Sequence, residues 1–374
     1  MHAHERIEAA IRLEKPDRIP VVPIIDIFAA RYAGVTQHDM LFDLAKADAA
    51  IEKTMADLGR MDGMNLSYGG MGRTLQLIFP SPPRIPGVDG YPEDEMFQFV
   101  EKEVMAPEQY DDLIEQGALP WLLSMVVAHN PSVSGPMYAR YALAKNMLDD
   151  FLIGRSARRW ARRDFECLVG PNIVFTPMEF ISLTLRSATA FTLDLFRRPE
   201  KVRAASRRLM AFFKARGVRT VKITGVRRVF MGGTRTSATF LSPSLFEELA
   251  LPEWMEMCEF FVERGITPVL HLDSEWTPFF EYLKELPARS CILNLDGTSD
   301  IFKAKEVLGD RMCIMGDVPA TLLKLGEPDE VGAYCRRLIE ELGGDGGFIL
   351  SSGCTVPIDS KPENVKAMLE SVYG

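Results

Sequence analysis

"VLHLDSEWTP", residues 269–278, decides how this chain is read. β-formers lead into His271, Asp273 and Glu275, and an aromatic and a proline then stop the run. In a strand, residues i, i+2 and i+4 share one face. The three polar side chains therefore point the same way, toward either a core or a pocket. A sealed core would leave such groups costly and unsatisfied, so the comb predicts a strand end that opens on a pocket.

Working outward, the second half of the chain repeats this pattern. Apolar, β-rich runs fall at 226–231, 267–272, 291–296, 312–317 and 347–352. Helix-like stretches follow at 243–264, 277–286, 300–308, 328–342 and 361–372. The first of these has apolar residues at three- and four-residue intervals. Strand–helix alternation with short connections predicts parallel β/α units. Earlier runs at 18–25, 61–70 and 171–177 complete eight, and eight predict an α/β fold of the (β/α)₈ TIM-barrel type. The whole chain, 1–374, reads as one barrel domain. A largely helical insertion at 75–170, opening on the Pro/Gly-rich "FPSPPRIPGVDGYPEDE", follows the second strand and caps the barrel mouth.

A barrel of this kind gathers its active residues where strands end. The fifth run ends in His271, Asp273 and Glu275, the sixth in Asn294 and Asp296, the seventh in Asp317 and the eighth in Cys354. The second ends near Asn65 and Tyr68, the fourth reaches Arg235, and the first carries Asp26. Asp26, Tyr68, Arg235, Glu275 and Trp276 are the expected substrate-binding residues.

Bulk composition narrows the classes of function. Of 374 residues, 47% are hydrophobic and 25% charged, an ordinary globular balance. A net charge of −9 makes nucleic acid an unsuitable partner. No stretch approaches the twenty apolar residues of a membrane span. The first twenty residues scatter charge and lack an apolar signal core, so a cytoplasmic protein is expected. Six cysteines lie far apart with no CxxC pair, the pattern of reduced thiols. The sequence leaves oligomerisation open.

His271, Asp273 and Cys354 combine imidazole, carboxylate and thiolate, three recognised zinc-ligand types that leave a fourth position free. The same residues also read as a satisfied histidine beside a carboxylate, with an unrelated buried cysteine. Asp296 and Asp317 read either as substrate-binding acids or proton donors, or as turn and N-cap acids. Cys354 as a nucleophile would need His271 as its base, and no nucleophile-elbow pattern surrounds it. "GGDGG" at 343–347 reads as a helix-stop turn and "RSARRWARR" at 155–163 as a solvated helix face.

Four stretches resemble the uroporphyrinogen decarboxylase superfamily: "RIEAAIRLEKPDRIPVVP" (6–23), "FLSPSLFEELALPEWMEMCEFFVERGITPVLHLDS" (240–274), "RMCIMGDVP" (311–319) and "GFILSSGCTVPIDSKPENVKAM" (347–368). The last is especially similar to the branch of methyltransferases that exchange methyl groups with a corrinoid protein in anaerobic microbes. The decarboxylases carry an arginine-rich segment that grips porphyrinogen carboxylates. Here "PIIDIFAARYAGVT" (23–36) stands in its place without that cluster. The methyltransferase branch holds zinc with a His-x-Cys motif after the fifth strand and a cysteine after the eighth. His271 and Cys354 match those positions, and Asp273 replaces the first cysteine.

The resemblance implies a zinc-assisted methyltransferase of the O-demethylase type. It would take the methyl group of a methoxylated, aromatic small molecule and pass it to the cobalt of a corrinoid-binding partner protein. A carboxylate in place of a thiolate keeps the charge but hardens the metal site, which suits an oxygen-bearing donor. Two alternatives stand beside it. One is a metal-free methyltetrahydrofolate/corrinoid methyltransferase using Asp273, Asp296 or Asp317 on the pterin. The other is a uroporphyrinogen decarboxylase-like lyase.

Overall fold

The structure is a computed structural model that describes residues 1–373; Gly374, the last residue of the expected domain, lies outside the described residues. Six strands pair in parallel and in chain order: β3 (Ile173–Phe175), β4 (Arg228–Gly233), β5 (Thr267–Leu272), β6 (Ile292–Leu295), β7 (Cys313–Val318) and β8 (Phe348–Ser352). Two more, β1 (Gly63–Leu66) and β2 (Glu166–Gly170), form a separate parallel pair.

Hydrogen bonds close these two groups into a ring. The extended run at 20–24 is one stave. Val22 N–H donates to Leu350 O and Leu350 N–H to Pro20 O, both at 2.9 Å, joining it to β8. On its other side Asp62 N–H donates to Val21 O at 3.0 Å and Asn65 N–H to Pro23 O at 2.9 Å, joining it to β1. β2 and β3 are halves of one stave bent at Pro171–Asn172, and Phe230 N–H donates to Asn172 O at 2.9 Å. Eight staves result, so the chain is a (β/α)₈ barrel.

The expected strand bounds shift in three places. The run at 18–25 forms only isolated bridges, Val21 to Leu350 and Ile24 to Thr355. Pro20 and Pro23 lack the N–H that a continuous ladder needs. Asp26 accordingly lies beyond the stave and opens the helix Asp26–Ala33. The third stave begins at Glu166 instead of 171, so residues 166–170 of the 75–170 segment belong to the barrel wall. The fourth run slides to 228–233, which brings two glycines into β4.

Both faces of β5 to β8 are buried, and alternation sorts the side chains. Leu270, Leu272, Leu293, Leu295 and Ile314 face the surrounding helices. Val269, Ile292, Cys313, Met315, Ile349 and Phe230 fill the barrel, and Ile7, Ala10 and Ile11 of the helix Ala3–Ile11 plug its N-terminal end. The polar layer lies above this plug, at the C-terminal ends.

One ion network fixes the first stave. Asp62 is buried and accepts Arg6 Nη1–H at 2.6 Å, Arg18 Nη1–H at 2.7 Å and Nη2–H at 2.9 Å, and Val21 N–H at 2.9 Å. Arg6 also pairs with Asp17 at 2.7 Å. These contacts give "RIEAAIRLEKPDRIP" its structural meaning: it ties the bottom helix to the stave that closes the ring. Asp62→Ala takes the carboxylate from the partly exposed Arg18 and leaves Arg6 with Asp17 alone, so it should cost about 1–3 kcal/mol. Urea denaturation of the variant beside wild type measures this.

Candidate active site

β5 delivers His271 to the barrel interior, with its ring 5.1 Å from that of Phe230. The β5–β6 register sets His271 against Asn294. Asn294 Oδ1 accepts Asn65 Nδ2–H at 2.9 Å and lies 2.6 Å from His271 Nδ1, while Asn294 Nδ2–H donates to Met315 O at 3.3 Å. An amide oxygen only accepts, so Nδ1 carries a proton, and Nε2 is the nitrogen left to face Asp273. Nε2 lies 3.2 Å from Asp273 Oδ1.

Asp273 is half-buried and held at three points. Its N–H extends the ladder to Gly233 O at 2.9 Å, its carbonyl accepts Trp276 Nε1–H at 2.8 Å, and its Oδ2 accepts Thr234 Oγ1–H at 3.1 Å. Cys354 arrives from the turn after β8. The turn passes so close to the Asp296 carbonyl that a Cβ at Gly353 would collide with it. One ligand atom each from His271, Asp273 and Cys354 lies within 4.8 Å of the others. Burial opposes charge on His271, but Asp273 and Cys354 outweigh it and hold the imidazole pKa well above its ordinary value. Burial likewise pushes the Asp273 carboxyl up, and His271 draws it below its usual range. Histidine and aspartate thus form an ion pair beside the thiol.

Two buried acids absent from the sequence reading brace this arrangement. Glu179 follows β3, and its carboxylate accepts Thr234 N–H at 3.0 Å, Arg235 N–H at 3.0 Å, Thr236 N–H at 2.8 Å and Thr236 Oγ1–H at 2.7 Å. Three consecutive backbone donors wrapped round one anion fix the loop after β4, and that loop supplies Thr234 to Asp273. Glu253, in the helix Leu251–Val262, accepts the N–H of Met178 at 2.9 Å and so secures the residue before Glu179. The signal available for Glu179 was an acid placed directly after the apolar run "IVFTPM".

The cluster opens on a cavity of about 340 Å³, mostly apolar, between the barrel mouth and the helices Gly72–Ile78, Ala118–His129 and Gly135–Ala161 of the insertion. His271, Asp273, Cys354 and Tyr68 all line it. The other expected residues sit apart from its wall. Asp26 accepts Tyr68 N–H at 2.6 Å and Ile27 N–H at 2.9 Å, and burial lifts its pKa to about 6, so it sets the Tyr68 backbone from behind. Arg235 pairs with Glu101 at 2.7 Å. Glu275 accepts Thr277 N–H at 2.7 Å and caps its turn. Trp276 is fully buried against Trp254 and Phe246 on the helix side of the barrel. Asp296 accepts Ser274 N–H at 2.9 Å and Thr298 N–H at 2.8 Å, as a turn acid does. Asp317 accepts Tyr334 Oη–H at 2.7 Å, and burial raises it to about 6. Five of the six cysteines are buried and free, and Cys354 alone is partly exposed. Among the described residues no helix is long and apolar enough to cross a membrane.

A parallel eight-stave barrel with a His/Asp/Cys cluster at its C-terminal mouth defines a class of proteins whose site is built on strand ends. Comparison with known proteins narrows the class. The family profile described as "Uroporphyrinogen decarboxylase (URO-D)" matches residues 177–374, and the chain belongs to that family. A uroporphyrinogen decarboxylase of Methylococcus capsulatus is 35% identical over 81 residues, 22% of this chain and 23% of that protein. Another, from Geobacter sulfurreducens, is 28% identical over 133 residues, 36% of this chain and 38% of that protein. The matches therefore span well under half of those relatives. A solved "methyltransferase from Methanosarcina mazei" superposes with a TM-score of 0.65 over 100% of this chain and 98% of that one, at 17% identity, a likeness of fold.

Burial lifts the Glu253 carboxyl to about 8 from an ordinary 4.5. The folded chain then keeps a proton that the unfolded chain has released, so stability falls as pH rises from about 4.5 to about 8 and levels off above. The slope reaches about 1.4 kcal/mol per pH unit. Glu253→Gln should flatten that decline and gain stability at pH 9 over wild type, as read by thermal unfolding across pH.

Proposed function

We propose that the chain is a zinc-assisted methyltransferase that takes the methyl group of a methoxylated aromatic compound and delivers it to the cobalt of a corrinoid held by a partner protein. One observation carries this reading: the ligand atoms of His271, Asp273 and Cys354 gather within 4.8 Å at the wall of an apolar cavity. The donor set fits zinc chemically, since imidazole, carboxylate and thiolate are its ordinary ligands and three protein ligands leave a position open. When bound, zinc supplies Lewis acidity toward an oxygen of the substrate.

The chain's own residues do the rest. Asn294 keeps the proton on Nδ1, so Nε2 remains the coordinating nitrogen. Asp273 adds a hard oxygen donor to the thiolate of Cys354, and Thr234 sets its carboxylate. Tyr68 and the insertion helices, which we read as a cap (75–170), keep water from the donor and press its ring toward the cluster. The volume suits such a donor, being roughly twice the 150 Å³ or so that holds benzene in an apolar cavity. A tetrapyrrole is a much larger guest, which favours methyl transfer over the decarboxylation for which the relatives are named. The methyltetrahydrofolate reading draws less support, because Asp296 and Asp317 are occupied in turn and helix contacts.

Elemental analysis of protein purified without added zinc should give one zinc per chain, lost in His271→Ala and in Cys354→Ala. Asn294→Ala should keep the fold and weaken zinc binding about 10- to 100-fold in competition with a chelator. Methyl transfer to cob(I)alamin should occur with methoxyarenes. A chain that binds no zinc and methylates no cobalt from methoxyarenes, methylamines, methanol or methyltetrahydrofolate would sink the proposal.

A further inference from the structure

Two arginines line the cavity, and among the described residues no carboxylate touches either. Arg216 and Arg219 stand three residues apart on the helix Pro199–Thr224, hence on one face, and share a cavity with His271, Asp273 and Cys354. Arg216 donates Nε–H to Ile173 O at 3.3 Å and Nη1–H to Asn146 Oδ1 at 3.2 Å, both neutral acceptors. Arg219 has a buried Nε with no hydrogen-bond partner among the described residues. Neither arginine is among the chain's ion pairs within 4.0 Å, again among the described residues.

The acid that faces them is Asp150, on the neighbouring helix Gly135–Ala161. Burial lifts its pKa to about 6 while Arg216 and Arg219 pull it down, and its Oδ2 is buried without a partner. Asp149 beside it is engaged by Lys145 at 3.0 Å and Thr74 at 3.2 Å. Two guanidinium groups thus stand against one acid that does not touch them. Arginine cannot shed its proton to escape this, so two partly buried guanidinium groups against one acid leave an excess of positive charge that an incoming anion would balance.

We infer that the cavity takes an aromatic carboxylate, its ring against the apolar wall and its carboxylate on Arg216 and Arg219. The planar fork of a guanidinium matches a carboxylate. A singly charged anion leaves the trio of Arg216, Arg219 and Asp150 neutral, whereas a phosphate dianion overshoots. Phe175, Phe212, Phe213 and Phe230 supply the aromatic surface of the same wall. The inference rests on the cavity being the donor's site, as proposed above, and narrows that donor to a methoxybenzoate-like acid.

Isothermal titration of the purified full-length protein, without any corrinoid protein, tests it with 3- and 4-methoxybenzoate, the matching methoxybenzamides and phenyl phosphate. The acids should bind at least about tenfold more tightly than the amides. Arg219→Met and Arg216→Met should abolish that preference, and Asp150→Asn should tighten the acids without affecting the amides. His271→Ala should leave the preference intact. If Arg216→Met does not fold, Arg219→Met and Asp150→Asn decide the matter. Absence of acid binding, equal binding of acids and amides, a preference that survives the arginine variants, or tighter binding of phenyl phosphate each overturns the inference. The two readings fail separately. Acid preference without methyl transfer overturns the methyltransferase alone, and methyl transfer without acid preference overturns the carboxylate alone.

Discussion

The amide oxygen of Asn294 accepts from Asn65 on one side and from His271 on the other, and the site depends on that sharing. A buried imidazole has two nitrogens, and either can be the one that gives up its proton. An acceptor fixed by two neighbouring strands removes the choice between them. Asn65 comes from β1, Asn294 from β6 and His271 from β5, so the contact also reaches across the barrel, above the apolar layer of Phe230, Val269, Ile292 and Met315. A parallel barrel can place polar side chains inward at its C-terminal rim because the layer beneath is filled with hydrocarbon.

Support for the cluster passes outward in steps. Glu253 holds Met178; Glu179 holds the backbone of residues 234–236; Thr234 of that loop holds the Asp273 carboxylate, which faces His271. Each link uses a buried acid or hydroxyl with named donors, as low-dielectric surroundings demand. The helix Leu251–Val262 therefore serves the site without touching it. Polar bracing of this kind fixes side chains to within the tolerance that chemistry needs more surely than apolar packing alone.

Opposite this rigid floor, the cavity wall is made by the segment between β1 and β2, whose helices contribute mainly apolar side chains together with Thr74 and Asn146. Arg216 and Arg219 interrupt it from the barrel's own helix layer. The His271, Asp273 and Cys354 cluster at one wall, and at another two arginines that no carboxylate touches among the described residues, give the cavity a polarity that distinguishes one end of a ligand from the other.

By itself the sequence determined the parallel β/α order, the barrel class, and the candidacy of His271, Asp273 and Cys354. These follow from local rules: the two-residue period of a strand, and the meeting of successive strand ends at one rim. It also left Asp296 and Asp317 open between catalysis and turn-capping, because either role asks for the same residue at the same place. Only the tertiary structure decided that Asp296 caps its turn, that Trp276 faces the helices, and that Asp26 braces the Tyr68 backbone from behind. It alone revealed Glu179, Glu253, Arg216 and Arg219, whose hydrogen-bond partners lie tens of residues away or, for Arg219 Nε, are absent among the described residues. Spacing along a chain reports which face a side chain takes. Whether that side chain meets a donor, a cation or nothing depends on elements brought together only when the ring closes.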